Sequence, residues 1–201
     1  MLRSIRNFLN KTFVRNVIIL VTGTAGAQVI SMLASPIITR LYGPEAFGVM
    51  GTFSAIVSTI GPAAALTYPI AIVLPKRKKD AIGLMKLSLY IAVIISIISF
   101  IILFFFHQQI IYIFNLDEIS TYLYLIPLVT LFAGFMQVAE QWLIRTKQFT
   151  INARVTVIQS LITNSSKIGI GLLYPFASVL VLLTVLSNGI RAGLMVLFIR
   201  K

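Results

Sequence analysis

The sequence predicts an all-α integral membrane protein with six transmembrane helices, and three observations carry that prediction. Hydrophobic residues make up 58% of the 201-residue chain and charged residues 11%, with a mean hydropathy of +0.98, far from the soluble average. A water-soluble domain of this length has no means of burying so much apolar surface. The formal net charge is +12, yet the cations sit in short clusters between long apolar runs. That is the positive-inside pattern of membrane helices, not the basic face of a nucleic-acid binder, so no nucleic-acid partner is expected.

Residues 1–16 form a basic amphipathic N-terminal segment, alternating Arg3, Arg6, Lys11 and Arg15 with Ile5, Phe8, Leu9 and Phe13. At helical spacing it is expected to lie on anionic inner-leaflet lipids. Residues 17–201 form the six-helix bundle. The first span, 17–38, has the length needed to cross the hydrocarbon core. Ala25-Gly26-Ala27 has the small residues of a signal-cleavage site, but the long charged leader and the short strictly apolar run Val17–Val21 favour an uncleaved span. Its centre is small and polar, with Thr22, Gly23, Thr24, Gln28 and Ser31. Two readings stay open: a face packed closely on a neighbouring helix, or a face on an aqueous cavity that Gln28 would help to line.

Gly43-Pro44 ends this helix and opens the next, because proline is tolerated in a first turn and breaks an interior. The second span, 45–75, is long for one upright crossing and is expected to bend at Gly61-Pro62. The block Lys76-Arg77-Lys78-Lys79 pins its end to the cytoplasm. The third span, 82–106, is apolar on all sides, and 107–118 reads as an outer loop carrying Asp117 and Glu118. The fourth span, 119–143, contains Pro127, an expected kink. Arg145, Lys147 and Arg154 return the chain to the cytoplasm. The fifth and sixth spans are 155–174 and 178–199, and Arg200-Lys201 ends the chain inside. Both termini are therefore expected to be cytoplasmic, since Arg40 is the one cation in the opposite-side connections.

Besides Lys86, at the inner end of span three, two cations fall within spans, Lys167 and Arg191. Either can snorkel to an interface, or face a polar lumen and attract an anionic substrate group. Asn164, Ser165 and Ser166 beside Lys167 favour the lumen there. Gln28, Asn164 and Glu140 are candidate polar cavity residues, and Glu140 can pair with either cation. Gly61, Pro62 and Pro127 are candidate hinges. Five acids with no spaced carboxylate pair, one histidine without a ligand neighbour and no cysteine leave no expected metal, cofactor or catalytic residue.

The run Arg40-Leu41-Tyr42-Gly43-Pro44-Glu45-Ala46-Phe47-Gly48 after a small-residue first helix resembles the polysaccharide-biosynthesis flippases. These are the O-antigen (Wzx-type) translocases of the MATE-like multidrug/oligosaccharidyl-lipid/polysaccharide exporter superfamily. Tyr68-Pro69-Ile70-Ala71-Ile72-Val73-Leu74-Pro75 and Gln141-Trp142-Leu143-Ile144-Arg145-Thr146-Lys147-Gln148-Phe149 fit the same pattern in the same order. The resemblance implies one MATE-like bundle, the N-terminal half of a transporter with two. It implies flipping of undecaprenyl-pyrophosphate-linked oligosaccharide across the bacterial cytoplasmic membrane, with Lys167 and Arg191 as the cations that would meet the pyrophosphate. Expected partners are the lipid-linked oligosaccharide, a second six-helix half and glycan-assembly proteins. The alternatives are a MATE-like drug/cation antiporter, which would need more cavity acids than Glu140, a polytopic glycan polymerase or transferase, which would need a large outer loop, and a non-transporting membrane fragment.

Overall fold

The computed structural model describes residues 2–199, and the side chains of residues 14, 15 and 18–198. The amphipathic face expected over residues 1–16 and the terminal Arg200-Lys201 lie almost wholly outside the described side chains. Within them the chain is all helix: α1 (Leu2–Ile60), α2 (Lys78–Phe114), α3 (Ile126–Arg145), α4 (Phe149–Gly171) and α5 (Ala177–Ile199), with 3-10 turns at Gly61–Ala65, Tyr68–Val73 and Asp117–Leu125. Four stretches are long and apolar enough to cross a membrane, Ile18–Ala65, Lys78–Phe114, Asp117–Arg145 and Ala177–Phe198.

α1 is two spans joined without a loop. Gly43 alone leaves helical geometry, at φ 71° and ψ 171°, a combination that side-chain-bearing residues scarcely reach. Ser31 before the break and Met50 after it wall the same cleft, so the chain doubles back at Gly43. With α1 counted as two arms, the described residues hold six long helical segments. α4 is long enough to cross but not apolar enough, because Asn152, Gln159, Ser160, Asn164 and Lys167 interrupt it.

Span two leaves α geometry at Gly61-Pro62. α1 stops at Ile60, and the chain continues as two 3-10 turns separated by Leu66 and Thr67, both left-handed at φ 50° and 55°. Pro127, the expected kink, lies where the 3-10 stretch Asp117–Leu125 gives way to α3. It stands in the first turn of α3, where its missing N–H has no intrahelical partner to lose. The outer loop expected at 107–118 is also mostly helix. α2 bends at Phe106 (φ −113°, ψ 16°) and runs on to Phe114, closed by left-handed Asn115. Ile111, 7% exposed, draws this extension onto the core. The loop expected at 144–154 shrinks to three residues around left-handed Lys147. There Gln148 N–H donates to Leu143 and Lys147 N–H to Ile144, the paired bonds of a Schellman turn.

α3 is the spine of the bundle. Nine of its residues are buried, from Ile126 to Leu143. Its upper half joins Phe53, Leu123 and Val185 in the main apolar core, and its lower half packs Ala139 and Leu143 on Val155 and Met195. α1 packs chiefly on α4, and α2 on α3.

Candidate functional site

α1 and α4 meet through small and hydroxylated residues. A Cβ on Gly23 would lie 2.5 Å from that of Ala153, so the two helices touch nearly backbone to backbone there. Four turns of polar contact follow. Ser160 Oγ donates to the Ala27 carbonyl at 3.0 Å and lies 3.1 Å from Ser31 Oγ. Asn164 Nδ2 donates to the Ser160 carbonyl at 2.8 Å and reaches Ser31 Oγ at 3.2 Å. Nearer the Gly43 turn, buried Tyr42 donates from its hydroxyl to the Lys167 carbonyl at 2.8 Å. Its ring lies so close to Gly171 that a Cβ there would meet it at 2.6 Å. Unsatisfied polar atoms are costly in an apolar medium, and this network answers them pairwise.

Above it opens a cleft of about 140 Å³ lined by Ser31, Ser35, Ile38, Phe47, Met50, Asn164 and Lys167. It lies between the two arms of α1 and α4. Lys167 is half-buried, on the bundle-facing side of its helix. A lysine ammonium is a compact charge with three donors, and beside two serine hydroxyls and an amide it can hold an anionic oxygen cluster such as a phosphate. Gln28 is exposed and stands outside the network.

Arg191 occupies a different place. Its Nη2 donates to Glu140 Oε1 at 2.7 Å, with side chains 23% and 27% exposed. Glu140 is thus paired with Arg191, and its carboxylate compensates that guanidinium; Arg191 Nε is buried without a partner. Gln159 Nε2 donates to the Ser187 carbonyl at 3.3 Å, which fixes the register of antiparallel α4 and α5. From that level Lys167 and Arg191 lie in opposite directions, about 18 Å apart along the bundle axis at 1.5 Å per residue. The two cations do not converge on one site.

Two polar side chains of α3 make contacts with span two that the sequence reading did not foresee. Gln137 Nε2 donates to the Gly61 carbonyl at 2.8 Å, and Arg145 Nη1 donates to the Ile72 carbonyl at 2.9 Å. The one available signal was position: a polar side chain on span four facing a proline-broken span two. A larger cavity of about 630 Å³ lies between the second arm of α1, α2 and residues 116–126; its walls are apolar but for Thr59 and Ser99. Among the described residues no cluster of His, Cys, Asp and Glu could hold a metal ion.

Residues 37–201 match the family described as polysaccharide biosynthesis protein. Neither a curated protein nor a solved structure matches the chain.

Proposed function

This chain belongs to the polysaccharide biosynthesis protein family, and from that premise we propose that it moves a lipid-linked oligosaccharide across a membrane. In this reading the cargo is an undecaprenyl-pyrophosphate-linked unit of O-antigen or a related surface polysaccharide. The membrane is the bacterial cytoplasmic membrane, with both termini of the chain on the cytoplasmic side. No bond of the cargo is made or broken; the protein supplies a polar path and a counter-charge. A second six-helix bundle and glycan-assembly proteins are the expected partners, and the bundle would work by alternating access in the MATE-like manner.

One observation supports this reading above the others: the Lys167 cleft, a cation among hydroxyls and an amide inside an otherwise apolar bundle. Intramembrane charges are expensive and mark substrate pathways. Arg191 carries its own counter-ion in Glu140, so Lys167 is the cation we assign to the pyrophosphate. The same pairing disfavours the drug/cation antiporter, because Glu140 is already engaged. The test is binding of undecaprenyl pyrophosphate to the full chain in detergent, with undecaprenol as the uncharged control. Lys167→Gln is expected to weaken diphosphate binding about tenfold or more, as for loss of a charge-assisted hydrogen bond, and Lys167→Arg to retain most of it. Equal binding of both lipids, or an unaffected Lys167→Gln, would remove the assignment.

A further inference from the structure

The last part of span two is a strained segment packed between α2 and α3 and hydrogen-bonded by α3. Gly61–Leu74 has lost α geometry, and its two central residues, Leu66 and Thr67, are both left-handed. That region is uncommon for any residue with a side chain and most unfavourable for a β-branched one such as Thr67. Such backbone persists only where its surroundings over-determine it. Here the surroundings are α2 and α3, and α3 supplies the side-chain hydrogen bonds. Gln137 takes the carbonyl of Gly61 at one end of the segment, and Arg145 takes the carbonyl of Ile72 at the other. Between these points Ala64, Ala65 and Ile72 are fully buried.

Both anchoring bonds are half-buried, but Arg145 sits at the last turn of α3 and makes further, exposed contacts beyond Ile72. Its Nη1 lies 3.4 Å from the exposed Val73 carbonyl, and its Nη2 lies 3.5 Å from the carbonyl of Arg77, the residue before α2. One guanidinium thus spans both sides of the Pro75 turn. Its planar fork is suited to this, and lysine's single ammonium is not. A strained segment whose outer anchor is one side chain at a helix end, with two of its three contacts exposed, is a strap with a releasable end. We propose that Arg145 is a latch: while it holds Ile72 and Arg77, span two stays broken and packed on span four. When it lets go, residues 66–74 swing off α3 and open that end of the bundle.

The chain contains no cysteine, so a single introduced thiol reports without background. Ile72→Cys keeps the backbone carbonyl that Arg145 binds and places the thiol at a fully buried position. Its labelling by a water-soluble maleimide is followed in the full chain in detergent micelles, a readout independent of any cargo. Adding Arg145→Ala is expected to speed labelling about tenfold, and Arg145→Lys to give an intermediate rate. A second reporter, Val185→Cys in the core between α3 and α5, is expected to stay protected in the same backgrounds. Unchanged labelling of Ile72→Cys in Arg145→Ala would overturn the latch. So would equal opening of the Val185 reporter, because Arg145 would then hold the whole bundle rather than the strap.

Discussion

Glu140 and Arg191 set the energetic stakes for single residues in this bundle. Both are less than a third exposed and sit 2.7 Å apart. Removing one partner of such a pair strands the other charge, which costs more than the pair is worth. Glu140→Ala and Arg191→Met should each lower the melting temperature of the purified chain, while the double variant recovers part of the loss. A coupling of about 1–3 kcal/mol is expected for charges in contact; strictly additive effects would show that the pair is incidental. The sequence named both residues and left the partner of Glu140 open between Lys167 and Arg191. Pairing across helices depends on the relative rotation of α3 and α5, which no local pattern encodes. For the same reason the contacts of Gln137 and Arg145 were not foreseen: their acceptors are backbone carbonyls, and a carbonyl freed by a distant proline leaves no mark beside the donor. Asn164 and Lys167 were legible because they interrupt an apolar run, and the structure puts both on one cleft.

At the scale of elements, the six helical segments were legible, and most of their joints were not. Gly43-Pro44 was read as a turn between two helices, and the turn proves to be a single residue at φ 71°. Gly43→Ala forces a side chain into a region nearly reserved for glycine, at about 1–3 kcal/mol. The fold melts earlier if this account is right, whereas an unchanged melting temperature would mean that the two arms adjust at another residue. The expected loop at 107–118 was read from Asp117 and Glu118, which mark only its far end, whereas Ile110 and Ile111 continue a packed face. A proline shows where helical geometry changes but not how, and at Pro127 the change is from 3-10 to α. Between those two elements His107 stacks on Tyr124 at 4.6 Å and contacts the Ser120 carbonyl at 3.1 Å. That contact pins the 3-10 stretch that took the place of the expected helix.

For the whole molecule, composition alone placed the chain in a membrane, since no other solvent accepts such a surface. Many of the remaining polar residues lie on α4 and on the arm of α1 it faces, which gives the bundle a polar seam apart from the Glu140–Arg191 pair between α3 and α5. The proposed transport of an anionic lipid runs along that seam and depends on Lys167 more than on any other residue. The most direct test is the leaflet distribution of lipid-linked oligosaccharide in cells that make it. In cells lacking this gene the account predicts accumulation on the cytoplasmic leaflet, restored outward by the wild-type chain and by Lys167→Arg, but not by Lys167→Gln expressed at the same level. An unchanged distribution without the gene, or full rescue by Lys167→Gln, would contradict it.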